Sequence, residues 1–368
     1  MTTTPVIMTI LSTLLAGLSS SEMTLAQYYR SLAAQNQSKA GDQWGFFQAK
    51  RIRGSGLENT ADLLQTQVSL ADSSELEAAA VRVFLDLQKL DKSTQKALAD
   101  PDNPRARENP TLVAEVKKVQ EATHTQLTKL ATEKWEDALH QAFQTPEVQQ
   151  IFEAFARGRL PAVEDQAIDD PAMKQALKAL AERKPDAEVD KVAGNLSYQT
   201  IQQALEVSQK NAKQADDATE SLSEALGKVE RLIKKPETLA GPWFMVLSQA
   251  HDSSGLEGTN LERESFAARA SAKLLGEVEH LQKAFKAVQH QYNGLRNRRE
   301  ADYNQKLAYV YEVQVHKNGL DADRHRQRSK NFFYGMLVAQ AAMAISSFAL
   351  AARQKSVLWG LACLAGLT

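Results

Sequence analysis

The sequence predicts an all-α, membrane-anchored protein: a long helical hairpin with a coiled-coil stalk, an inserted helical module, and N- and C-terminal transmembrane helices. Three observations predict this. Residues 332–351 carry no charged side chain, and at ~1.5 Å per residue roughly twenty residues reach ~30 Å, the hydrocarbon thickness of a bilayer. Apolar residues elsewhere recur in alternating steps of four and three, the period of helices packed along a seam. Strand signals are nearly missing, with no alternating Val/Ile/Thr runs and only 7% aromatic residues. Even with these segments included the mean hydropathy of the chain is −0.41, so the rest reads as ordinary water-compatible protein.

Residues 1–21 are expected to form the N-terminal transmembrane helix. Val6 to Leu18 is apolar, and Pro5 suits a first helical turn. A cleaved signal and a buried soluble segment are the competing readings; the run lacks the basic start of a signal peptide. Residues 22–56 are expected to form the first stalk helix, carrying the aromatic block Trp44, Phe46 and Phe47. Core packing against a returning helix is one reading of that block, with Tyr303, Tyr309 and Tyr311 as candidate partners. An oligomer contact or interfacial anchor is the other.

Residues 57–255 read as an inserted helical module. Leu76, Ala80, Val83, Leu87 and Leu90 form one stripe, and Leu222, Leu226, Val229 and Ile233 another. Prolines punctuate it. Asp100–Pro104 and Asn109-Pro110 separate two helices. Thr145-Pro146, Arg159–Pro161, Asp170-Pro171 and Lys184-Pro185 mark a string of short ones. Lys235-Pro236 and Gly241-Pro242 are expected to close the region. Residues 256–331 should form the long stalk helix, since no proline lies between Asn260 and Ala351. Its seam is Leu274, Val278, Leu281, Phe285, Val288, Tyr292 and Leu295, a candidate oligomer or packing interface. The rhythm breaks near Gly294 and Arg296–Arg299, like a stutter, and resumes through Leu307, Val310 and Leu320. A nearly continuous helix is expected, and Gly276, Gly294, Gly319 and Gly335 are the places where it could bend. Residues 332–351 are the second transmembrane helix, with a small-residue face of Ala341, Ala342, Ala344, Ser346 and Ser347. In 352–368 a basic turn, Arg353 to Lys355, leads to Val357–Leu367, which reaches only ~17 Å and reads as a partial third span.

An internal echo links two segments. Trp44 precedes Gly56 in Ser55-Gly-Leu-Glu-Asn-Thr60 by the same interval as Trp243 precedes Gly255 in Ser254-Gly-Leu-Glu-Gly-Thr259. Either a duplicated hairpin corner or the two edges of an insertion would produce it.

Charge excludes some functions. Lys and Arg total 44 against 45 Asp and Glu, so no overall field points to nucleic acid. A local basic collar of Arg324, Arg326, Arg328 and Lys330 adjoins the span and suits anionic headgroups. Counted near the spans, these residues favour the cytoplasm for the large domain. The spans contain no ionisable residue, which argues against active transport. No phosphate-binding loop, nucleophile elbow or zinc pair is present, and the single cysteine, Cys363, lies in the last apolar run. Glu-x-x-His occurs twice, at Glu121–His124 and Glu277–His280, a spacing used in di-iron bundles. Glu277 and His280 fall off the seam, however, and a partly buried His124 needs no metal. No cofactor is expected.

The block Asp42-Gln-Trp-Gly-Phe-Phe-Gln-Ala-Lys50 and the ending Arg328-Ser-Lys-Asn-Phe-Phe-Tyr-Gly-Met-Leu-Val-Ala-Gln340, followed by a basic turn and a second apolar run, resemble the bacterial membrane-protein family catalogued as domain of unknown function 4337. The resemblance covers roughly residues 5–56 and 255–368. It implies one N-terminal span, a helical extramembrane hairpin, two C-terminal spans and a bacterial inner or intracytoplasmic membrane. It implies no activity and no catalytic residue. The chain departs from the pattern in lacking a charged tail before the first span, which leaves the side of the membrane open. Its long region between Gly56 and Gly255 is the reason for reading an insertion there.

The function expected is a self-associating scaffold in the lipid bilayer, a homo-oligomer without catalytic activity. The alternative is an accessory subunit of a transport or envelope complex, bridging to another membrane protein. A di-iron enzyme is the remote third.

Overall fold

The computed structural model describes residues 3–68, 72–99, 110–252, 261–351, 360 and 364. Among these the ordered elements are helices, and no strand occurs. They are α1 (Thr3–Gln67), α2 (Ser73–Leu98), α3 (Pro110–Thr132), α4 (Trp135–Phe143), α5 (Pro146–Arg157), α6 (Pro171–Ala181), α7 (Asp186–Ala193), α8 (Tyr198–Asp252) and α9 (Leu261–Ala351). The segment 101–109, the second echo at 254–259, Cys363, the 353–355 turn and most of the expected third span lie outside the described residues.

Local chemistry explains the boundaries. Asp72 caps α2 by accepting hydrogen bonds from the Ser74 and Glu75 backbone N–H groups. Asp170 does the same for α6 through Met173 N, at 2.7 Å. Proline opens α3, α5 and α6, where the missing N–H costs no helical bond.

Two compact units share the long helices. Residues 1–47, 165–212 and 302–368 make the first; residues 48–164 and 213–301 make the second. In the first unit α1 and α9 run antiparallel, with contacts at Thr9–Met343, Ser19–Ser329, Glu22–His325 and Trp44–Glu312. The core beside them joins Ala40, Met173, Ala176, Ile201, Leu205, Leu307, Val310 and Val313. In the second unit α1 and α9 are again antiparallel, and α2, α3, α4, α5 and α8 enclose a larger core that includes Phe84, Trp135, Leu139, Phe143, Ile151 and Trp243.

Two expectations need correction. First, the prolines at 236 and 242 do not end a helix: α8 runs through both. Pro236 cannot donate to the Leu232 carbonyl four residues back, but the indole N–H of Trp135 donates to that carbonyl at 3.0 Å. The bond the proline removes is thus replaced from a neighbouring helix. The long proline-free helix is present: α9 is helical through Gly276, Gly294, Gly319 and Gly335. Gly294 instead permits a close crossing. A Cβ there would stand 2.6 Å from Glu58 Cγ and 3.1 Å from the Gly54 carbonyl oxygen. Second, the first long helix does not stop at residue 56. α1 passes through Ser55–Thr60 to Gln67, because Gly54 and Gly56 sit in regular helical turns.

Candidate membrane-proximal site

The Leu274–Leu295 seam closes inside the chain. All seven of its residues are buried in the core of the second unit, together with the Leu76–Leu90 and Leu222–Ile233 stripes. Tyr292 shows how that core is tied: its hydroxyl donates to the Thr219 carbonyl at 2.7 Å and lies 3.1 Å from Ser223 Oγ.

The aromatic block divides. Phe47 is buried, Trp44 is half-buried and Phe46 is 55% exposed. Trp44 stands edge-on to Phe47 and to Tyr309 and donates its indole N–H to Glu312 at 2.6 Å. Of the other candidate partners, Tyr311 packs under Lys39, and Tyr303 donates to Asp165. Trp243, the echo of Trp44, is buried in the second unit and donates to Thr123 Oγ1 at 3.0 Å. Beside it, Val119, Ala122, Leu239, Pro242, Met245 and Val246 line a groove of about 390 Å³.

The two Glu-x-x-His pairs do not converge on a shared point. His124 Nδ1 pairs with the buried Asp91 at 2.8 Å, while Glu277 is half-buried and His280 exposed. Among the described residues no group of three or more His, Cys, Asp and Glu could hold a metal ion.

Polar chemistry concentrates instead in the first unit, where the apolar ends of α1 and α9 give way to polar sequence. Ser19 and Ser329 clasp each other: each hydroxyl donates to the other's backbone carbonyl, at 3.0 and 2.8 Å. Small side chains allow that approach, and the reciprocal bonds satisfy both hydroxyls. One turn further, His325 Nδ1 lies 2.5 Å from Glu22 Oε2. The imidazole stacks on Tyr29, with ring centres 5.4 Å apart, and Tyr29 stacks in turn on Tyr198 at 6.1 Å.

Tyr198 opens α8 and faces a charged pair. Lys317 Nζ is 3.6 Å from Asp321 Oδ2, 5.7 Å from the Tyr198 ring and 3.2 Å from the Gly194 carbonyl that accepts its hydrogen bond. Tyr198 Oη is 2.8 Å from Asn318 Oδ1 and 2.9 Å from Asp321 Oδ2. A phenol has one proton, so it donates to one of them. The fully buried Asn318 has no partner for its Nδ2. Turning that amide over lets Nδ2 donate to Tyr198 and leaves the phenol proton for Asp321. Burial, reinforced by the Asp321 carboxylate, pushes the Tyr198 phenol well above its usual range. Periodicity could not reveal this layer, because its members come from three helices far apart in sequence. Tyr28-Tyr29 and His325 beside the collar were its only local signals.

The four collar residues are all exposed. Arg324 bonds to Asp321 at 3.2 Å; Arg326, Arg328 and Lys330 have no ion-pair partner among the described residues. Beyond them α1 and α9 are long and apolar enough to cross a membrane. Only 6% of the apolar stretch of α1 and 17% of that of α9 are buried. The expected small-residue face splits: Ala342 and Ser346 are buried with Ala339, whereas Ala341, Ala344 and Ser347 are exposed.

No curated protein and no solved structure matches the chain. A family model matches residues 2–147, thus including the Asp42–Lys50 block and continuing past residue 56 through α2 and α3; that stretch of the chain is similar to the family described as Domain of unknown function (DUF4337).

Proposed function

We propose that the protein is a membrane-anchored helical scaffold without catalytic activity, tethered by the apolar ends of α1 and α9 and presenting the rest as a stalk and module. The observation that carries this reading is the exposure of Ile7, Ile10, Leu14, Leu18, Phe333, Tyr334, Leu337 and Phe348 on two adjacent helices. A core helix of a water-soluble protein buries such residues; here lipid is the solvent that suits them. Self-association, the second part of the proposal, would use the outward face of these spans, since the Leu274–Leu295 seam is filled by the same chain.

The alternative is an accessory subunit that bridges to a different protein. It is favoured by the same filled seams, since the Leu274–Leu295 stripe is already covered by the same chain and is not open to a second copy. Carbonate washing and detergent partitioning test the anchor: the full chain is expected in the membrane and detergent fractions, and recovery in the aqueous fraction would overturn it. Mass measurement in mild detergent separates the two readings. Oligomers support the scaffold, while monomers that recover a distinct protein stoichiometrically support the bridge.

A further inference from the structure

We infer that one face of α9 is a docking surface for anionic phospholipid, with Arg326 and Lys330 taking the headgroup phosphate and Phe333, Tyr334 and Leu337 lying along the acyl chain. The inference rests on the membrane-anchored reading and adds a partner to it.

Helical geometry supplies the first argument. Positions 326, 330, 333, 334 and 337 are related by i, i+4, i+7, i+8 and i+11, and at ~100° per residue they share one face. Ser329, which bonds to Ser19 of α1, and Ala339 are buried, whereas Phe333, Tyr334 and Leu337 are 45%, 62% and 43% exposed. The face therefore points outward and changes from cationic to aromatic to aliphatic along the helix. That order matches headgroup, interface and hydrocarbon in a bilayer leaflet.

Charge supplies the second. Of the neighbouring cations, Arg324 is paired with Asp321 at 3.2 Å and Arg30 with Asp323 at 3.7 Å, whereas Arg328, unpaired among the described residues, falls on another side of the helix, two positions from Arg326. Arg326 and Lys330 are not paired among the described residues. No Asp or Glu occurs from residue 324 to 351, and residues 3–29 contain a single acid, Glu22, which is engaged by His325. Among the described residues no carboxylate thus neutralises these two cations. A phosphodiester does, and two donors one helical turn apart can share its oxygens.

The test uses the full-length protein reconstituted in phosphatidylcholine bilayers with and without one-third phosphatidylglycerol. Lipids retained after transfer to mild detergent are counted by native mass spectrometry. The wild type is expected to retain phosphatidylglycerol over phosphatidylcholine by on the order of 10-fold. Arg326→Gln with Lys330→Gln should abolish that preference, whereas Lys89→Gln with Lys92→Gln, exposed on α2, should preserve it. Circular dichroism checks the fold, and Lys330→Gln alone carries the comparison if the double variant unfolds. Equal retention of both lipids by the wild type, or an undiminished preference in the variant, overturns the inference while leaving the anchor standing. Loss of the preference on adding inorganic phosphate at constant ionic strength would assign the cations to free phosphate and also overturn it. Failure to insert into either bilayer would overturn the anchor itself.

Discussion

Trp135 and Pro236 lie about a hundred positions apart, yet one carbonyl couples them. The Trp135 indole satisfies the Leu232 oxygen that Pro236 leaves without a donor. Trp135→Phe should therefore destabilise the chain, partly through lost volume and partly through an orphaned carbonyl. In the Pro236→Ala background the new backbone N–H reaches Leu232, so the same change should cost about 1 kcal/mol less. Denaturant unfolding of the four chains in the cycle measures this coupling; additive effects would sink the assignment. Tyr198 makes a second residue-level prediction. Its phenol is raised in the folded state, above a usual value of 10.0. A raised pKa means the folded state holds the proton more tightly, so this stabilisation is fully present below pH 10 and is lost progressively as pH climbs above it. Melting temperature should fall more steeply above pH 10 in the wild type than in Tyr198→Phe; parallel slopes would contradict it. Neither residue was marked by a motif, because each depends on a group supplied by another helix.

Among the elements, α9 was the most readable and α1 the least. Leu274 to Leu295 is a seam of large apolar residues, and burial follows its four-three stepping to the last member. The buried side of α1 in the first unit shows no such run of large residues: it holds Ser12, Ala26, Asn36 and Ala40, with Ser19 half-buried, before Phe47 at its end. Small and polar side chains carry no hydropathy signal, although they allow closer approach than leucine. Glycine meaning was equally hidden, since crowding is not written in the chain. Gly294→Ala drives a Cβ into Glu58, which Arg298 pins from the other side. It should destabilise by about 1–3 kcal/mol. Gly227 in α8 has nothing within 4 Å of such a Cβ, so Gly227→Ala should stabilise by about 0.5–1 kcal/mol. Chemical denaturation of both variants gives the signs, and a shared sign would refute the close crossing.

For the whole molecule, Leu14 and Leu63 sit on the same helix and are both 60% exposed. The anchor assigns lipid to one and water to the other. With Cys363 replaced by Ala, Leu63→Cys should react with a membrane-impermeant maleimide in open membrane fragments. Leu14→Cys should remain protected until detergent is added, and equal reactivity before detergent would remove the anchor. Charge-free length and helical period were enough to identify an all-helical chain with two segments able to cross a bilayer, because both depend on residues near one another in sequence. Which helix fills the α9 seam, how α8 tolerates Pro236, why Gly294 lacks a side chain and where Glu22 meets His325 were decided by tertiary packing alone. Each is a contact between groups tens to hundreds of positions apart, and no local spacing encodes which distant helix arrives.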